Sequence, residues 1–370
     1  MRYQNVCLES LGYTLPEEVV TSAEIERQLR PLYERLRLPE GRLELMTGIR
    51  ERRFWPAGMP VSEKSVESGE RAIQAAGIER SEIGCLIHAS VCRDYLEPAT
   101  ASSVHHRLGL SQRCMVYDVS NACLGLLNGM LQIANMIELG QIRAGLVVGT
   151  EGSRQLVETT IATLNRQETL TRNEIKSSIA SLTIGSASCA IVLCHRDLSR
   201  TGNRLHAATA LANTQYHDLC HSGSDEAGAG MQPLMQTDSE RLMHEGIATG
   251  VATFGDFLRE CNWSRDQIDK TICHQVGLAH RKLMLQSLEL DAERDFTSVE
   301  FLGNTGSVAL PVTLALACEA GHLTPSDHLA MLGIGSGINC VMLGIDWQEA
   351  RVQGNASLET LGLATAQEDA

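Results

Sequence analysis

No run in the 370-residue chain reaches the roughly 18 consecutive apolar residues of a membrane-spanning helix. The opening MRYQNVCLESLGYTLP lacks a basic segment joined to a long apolar one. A soluble, cytoplasmic protein without a transmembrane segment is therefore expected. CxxC pairs are missing as well, although there are 12 cysteines, several of them inside apolar runs. That pattern excludes a zinc knuckle or a disulfide framework and fits buried, reduced thiols. Positive charge is scarce: 31 Lys+Arg against 45 Asp+Glu give a formal net charge of −14, which argues against a broadly basic nucleic-acid-binding surface. Nor is there an HExxH motif, and the glycine-rich segment 333-GIGSGIN-339 matches neither GxGxxG nor a phosphate-binding GxxxxGK[ST] loop. No metal or resident cofactor is expected. Nine prolines among 43% apolar and 21% charged residues complete a globular composition.

Short apolar runs alternate with longer helical ones, the pattern of an α/β protein. Candidate strands are 84–90, 114–120, 144–150, 188–194, 271–276, 296–300 and 329–335. Segments 124–140 and 308–321 read as buried helices, each with glycine near its C-terminal end.

The chain also repeats. Laying Gly140 on Gly321 carries Cys123 onto Asn304, so that each half places a polar residue after a strand and at the start of an apolar helix. A second, looser correspondence sets His88 in CLIHAS near His274 in TICHQV. An internally duplicated α/β protein whose halves meet at one site follows. The expected division is 1–198 for the half carrying the cysteine and 199–349 for the half carrying His and Asn, with 350–370 a flexible tail and 217–240 a surface loop or lid.

Cys123 sits in DVSNACLGLLNG, at the first turn of an apolar helix, where the positive end of the helix would favour a thiolate and nearby N–H groups would suit an oxyanion. Taken alone it is one thiol among twelve. His274 and Asn304 strengthen it, since imidazole can exchange a proton near neutrality and an amide can donate to an enolate or thioester oxygen. Glu97, in VCRDYLEPAT, would serve as a base next to a thioester if its carboxylate entered a desolvated acyl site; a glutamate before proline is otherwise a solvated loop residue.

At DVSNACLG, CHQVG and FLGNTGS the chain resembles the thiolase superfamily, in its ketoacyl synthase III branch with an ordered Cys-His-Asn triad. The resemblance covers about residues 1–347, including 47-TGIRERR-53 and 331-MLGIGSGINC-340. It implies a duplicated five-layer αβαβα fold and a homodimer. Segment 92-CRDYLEPATAS-102 is similar to the OleA-type enzymes of olefinic hydrocarbon biosynthesis, which join two fatty acyl-CoAs by a non-decarboxylative Claisen condensation. By that resemblance Cys123 accepts the first acyl group, Glu97 reaches the neighbouring subunit's site to remove an α-proton, and His274 and Asn304 stabilise the enolate. CoA thioesters are then substrates, and the partners are fatty acyl-CoA, a second copy of the chain and downstream lipid-biosynthesis enzymes. The chain departs from fatty-acid initiating synthases at HQVG (274–277), at Ala279 in place of an arginine, and at Arg42 and Met46. The rival readings are decarboxylative condensation with malonyl-ACP or malonyl-CoA, a related acyltransferase, and a noncatalytic scaffold.

Overall fold

The computed structural model describes residues 1–172, 174–222 and 235–363. The middle of the expected 217–240 loop and the end of the expected 350–370 tail lie outside them.

Ten strands form one mixed sheet: β1 (Val6–Thr14), β2 (Ile83–Ala89), β3 (Met115–Val119), β4 (Ala144–Glu151), β5 (Ala187–His195), β6 (Arg204–Ala212), β7 (Lys270–Cys273), β8 (His328–Gly335), β9 (Asn339–Asp346) and β10 (Val352–Gln353). Their order is β7-β8-β9-β6-β1-β5-β4-β2-β3, with β10 beside β1. β1 and β6 meet at a single pair, Cys7 with Arg204, so the sheet is two half-sheets joined at one point. Within them β2-β4-β5-β1 and β7-β8-β9-β6 repeat the same senses, one parallel pairing followed by two antiparallel ones. The duplication is thus present in the topology.

Six helices supply the other layers: α1 (Val61–Ala76), α2 (Thr100–Arg107), α3 (Gly125–Glu138), α4 (Ser239–Cys261), α5 (Leu278–Leu288) and α6 (Ala309–Glu319). α1 and α2 cover the outer face of the first half-sheet, and α4, with α5 against it, covers the second. Between the half-sheets lie α3 and α6, giving the five layers αβαβα. A central helix must be apolar on nearly every side. ALPVTLALACE in α6 meets that demand, with every residue from Ala309 to Cys318 buried. Both central helices end before a left-handed glycine, Gly140 (φ 69°) and Gly321 (φ 70°), which releases the chain toward the next strand. At β1, Gly12 has no Cβ to keep away the α1 backbone at Ser68 and Ala72.

Segment 296–300, expected as a strand, is not one. In the duplicated topology it would stand beside β7 as β3 stands beside β2, but only one isolated bridge, Thr271 with Asp295, remains there. Side chains take over the ladder: the Asp295 carboxylate accepts from Cys273 N–H at 3.0 Å, Thr271 Oγ1 at 3.1 Å and Arg281 Nε at 2.6 Å. Gln275 Oε1 then accepts from the N–H groups of Ser298 and Val299, at 3.1 and 3.2 Å, and the chain turns into a short helix, Val299–Leu302. The described part of 350–370 is docked rather than loose: the Asn355 side chain bonds both backbone groups of Leu15, and Leu361 is buried.

No helix among the described residues is long and apolar enough to cross a membrane.

Candidate active site

Cys123 occupies the connection between β3 and α3. Ala122 before it is left-handed (φ 44°), an uncommon conformation for a residue with a Cβ. Leu124 N–H then bonds Asn121 C=O at 2.9 Å, closing a sharp turn with Cys123 on it. α3 starts at Gly125, so Cys123 lies two residues before the first helical residue.

Elements of the other half close on this turn. A Cβ built on Gly125 would lie 3.4 Å from Ser307 Cβ, and one on Gly335, at the end of β8, would lie 3.5 Å from the Cys123 nitrogen. His274 directly follows β7 and continues its pairing with β8 through a 3.1 Å bond from its N–H to Leu332 C=O. Asn304 is held in the loop before α6: its N–H donates to Thr183 C=O at 3.0 Å, and its C=O accepts from Gly185 N–H at 2.9 Å. The backbone therefore brings the turn of Cys123, the Asn304 loop and the β8 edge beside His274 to one seam between the halves.

The electrostatics differ from the thiolate expected at a helix start. Burial first, then the Glu151 carboxylate and the Cys220 thiol, push the Cys123 thiol up to about 12. Its own backbone N–H acts in the opposite direction and is outweighed. His274 is buried, and burial followed by repulsion from His280 depresses it to about 3. Its Nδ1 finds no hydrogen-bond partner among the described residues. At neutral pH the pair is accordingly a thiol and a neutral imidazole. Asn304 Oδ1 accepts from Gly306 N–H at 3.0 Å, which fixes the sense of the amide and leaves its NH2 end as the donor.

Glu97 stands apart. It is exposed on the loop between β2 and α2, and its carboxylate makes no hydrogen bond or ion pair within the described chain. The loop itself is tied down. Asp118, on β3, accepts from the N–H groups of Thr100 and Ala101 at 2.8 Å each, and Asp94 accepts from Ser62 N–H at 3.1 Å.

Sequence reasoning missed Glu151, the last residue of β4, which is only 5% exposed. Its signal was a lone acid closing the apolar run AGLVVGT, but its donors come from distant positions. Among the described residues no group of three or more His, Cys, Asp or Glu side chains is arranged to hold a metal ion.

Residues 46–200 match the thiolase N-terminal domain, and residues 258–347 match the C-terminal domain of 3-oxoacyl-[acyl-carrier-protein] synthase III. An acyl-CoA:acyl-CoA alkyltransferase of Shewanella oneidensis is 44% identical over 351 residues, covering 94% of this chain and 100% of the relative. A second, from Xanthomonas campestris, is 34% identical over 347 residues, again covering 94% and 100%. The crystal structure of Xanthomonas campestris OleA bound to cerulenin superposes with a TM-score of 0.88 at 34% identity, covering 94% of this chain and 98% of that one. A structure of the same enzyme with bound lauric acid and lauroyl-CoA gives a TM-score of 0.87 at 33% identity, covering 93% and 100%. With the two-half topology and 44% identity over nearly the whole chain in agreement, the chain belongs to the thiolase-fold family of acyl-CoA:acyl-CoA alkyltransferases.

Proposed function

We propose that this enzyme condenses two fatty acyl-CoAs into a 2-alkyl-3-ketoacyl-CoA without decarboxylation, through an acyl group carried on Cys123. The observation that carries the reading is the meeting of Cys123, from one half, with the Asn304 loop and the strand edge beside His274, from the other. Because the thiol sits near 12 and the imidazole near 3, proton loss accompanies attack on the first thioester rather than preceding it. A bond forms between Sγ and the acyl carbon, and CoA leaves with the proton. The second acyl-CoA then lies with its thioester oxygen toward His274 and the Asn304 NH2, both neutral donors suited to a developing enolate. Glu97, supplied by a second copy of the chain, takes the α-proton. The carbanion attacks the Cys123 thioester, the carbon–carbon bond forms, and Cys123 leaves and recovers its proton.

A homodimer supports this division of labour. β3 is the edge strand of the sheet and exposes Met115, and the loop that carries Glu97 exposes Val91, Tyr95 and Leu96. Each half, about 1–198 and 199–349, is read as one copy of the duplication. Twelve free cysteines suit a reducing, cytoplasmic setting, and a β-keto product suits later enzymes of lipid or olefin synthesis.

The test is mass spectrometry of products from myristoyl-CoA, with and without malonyl-CoA, for wild type, Cys123→Ala and Glu97→Ala. A β-keto acid or its derived ketone from myristoyl-CoA alone, lost in both variants, is expected. Product only with malonyl-CoA, with release of CO₂ and no effect of Glu97→Ala, would replace this reading with decarboxylative condensation.

A further inference from the structure

The Glu151 carboxylate lies at the seam between the halves, and four donors converge on it. Oε1 accepts from Ser307 Oγ at 2.5 Å, Ser307 N–H at 3.3 Å and Val91 N–H at 3.0 Å; Oε2 accepts from Cys92 N–H at 3.3 Å. Val91 and Cys92 are the root of the Glu97 loop, while Ser307 lies three residues beyond Asn304. Ser307 Oγ also lies 3.1 Å from Ala89 C=O, at the end of β2, and so touches the same root from the other side. Close packing leaves the acid little freedom, since a Cβ on Gly306 would come within 3.1 Å of Glu151 Cγ.

We propose that Glu151 is a positioning residue for the condensation step, clamping the root of the Glu97 loop to the Asn304 loop beside Cys123. This rests on the reaction proposed above, in which the loop rooted at Val91 and Cys92 carries Glu97 into the second copy's site while the Asn304 loop serves the site of its own chain. Three backbone N–H groups and one hydroxyl point at this one carboxylate, Cys92 N–H being shared with Ser90 Oγ at 3.1 Å, so an amide in its place would turn an NH2 toward at least one of these donors. Asp118 holds the far end of the loop at Thr100 and Ala101, but nothing there reaches the second half. Glu151 is the point where the loop that delivers the base to the second copy is fixed relative to the chain's own Asn304 loop and Cys123 turn. Its charge also bears on the thiol, alongside Cys220, which gives a readout independent of turnover.

The experiment compares wild type, Glu151→Gln, Glu151→Asp and Ser307→Ala in three measurements: the stoichiometric burst of CoA on acylation by myristoyl-CoA, the rate of ketone formation, and the pH profile of Cys123 alkylation by iodoacetamide. Glu151→Gln is expected to keep the burst, lose ketone formation about 10-fold or more through misplacement of the base, and alkylate at lower pH because the neighbouring negative charge is gone. Ser307→Ala removes the short hydroxyl tie, leaving only the 3.3 Å backbone one, and keeps the charge, so ketone formation falls while the alkylation profile stays. Glu151→Asp recovers the wild-type alkylation profile and part of the ketone rate. If ketone formation stays within about threefold of wild type in both Glu151→Gln and Ser307→Ala, the clamp is wrong. It is equally wrong if burst and ketone formation fall together with the alkylation profile unmoved, since that is general damage to the fold. Should Glu151→Gln fail to fold, Ser307→Ala decides alone, by losing ketone with an intact burst or by losing neither. Absence of ketone in wild type itself overturns the reaction and the clamp with it; wild-type ketone with unaffected variants overturns only the clamp.

Discussion

With the Cys123 thiol pushed up to about 12 and the His274 imidazole down to about 3, the two cannot form an ion pair at neutral pH, so Cys123 differs from the low-pKa thiols of other helix starts. Its alkylation by iodoacetamide should therefore rise about tenfold per pH unit from 7 to 10 with no plateau; a plateau near 7 would mean an activated thiolate. Peptide mapping of the labelled protein at each pH checks this at Cys123. At this scale the sequence was legible where polar residues interrupt apolar segments, which is how Cys123, His274 and Asn304 stood out. It was silent on charge state, because the burial and the Glu151 carboxylate that raise the thiol come from tertiary packing. Glu151 was hidden for the same reason: its function lies in donors at positions 91, 92 and 307, which no local pattern connects to 151.

Asn304 reaches the site because the segment before it abandons the strand its place in the repeat would assign. Asp295 and Gln275 redirect the backbone with side-chain hydrogen bonds, and Gly303 (φ 66°) completes the turn. FTSVE has the composition of a strand, so the expectation followed from β-propensity, and tertiary hydrogen bonds overrode it. Strands β1, β6 and β9 escaped notice for another reason. Serine, glycine, threonine or asparagine interrupts VCLESLGYT, RLHAATALA and NCVMLGID, although most of these residues are buried. The buried helices α3 and α6 were legible because all-round apolarity leaves few alternatives. A prediction belongs here. A Cβ at Gly185 would run into Leu302 C=O, and Gly185 N–H holds Asn304 C=O at 2.9 Å, so Gly185→Ala displaces the Asn304 loop. Ketone formation should fall about 10-fold or more with the circular dichroism spectrum unchanged, and a variant of wild-type activity would show that the loop tolerates the shift.

Across the whole molecule, the buried His88 and His274 and the half-buried His280 are kept neutral. Burial depresses His88 to about 4, His274 to about 3 and His280 to about 4, against about 6.5 in an unfolded chain. The folded state therefore binds fewer protons than the unfolded one between these limits. Their contribution is fully present above about pH 6.5 and is lost as pH falls from there toward 3 to 4. The Tm should decline already between pH 6.5 and 5, and unfolding at pH 5.5, followed by calorimetry in buffers of different ionisation enthalpy, should take up protons. His280→Leu should reduce that uptake by about one proton; unchanged uptake would mean that His280 is charged in the native state.

The half-sheets also end differently. β3 leaves its outer backbone groups open, whereas β7 is met by Asp295, whose carboxylate occupies the Cys273 N–H that another strand would need. A sheet with two open edges can add copies at both ends and grow into a filament. Here one edge is stoppered from within the chain, so edge-to-edge growth ends after a single addition. The lost strand of the second half thus guards the protein against polymerising through its own sheet.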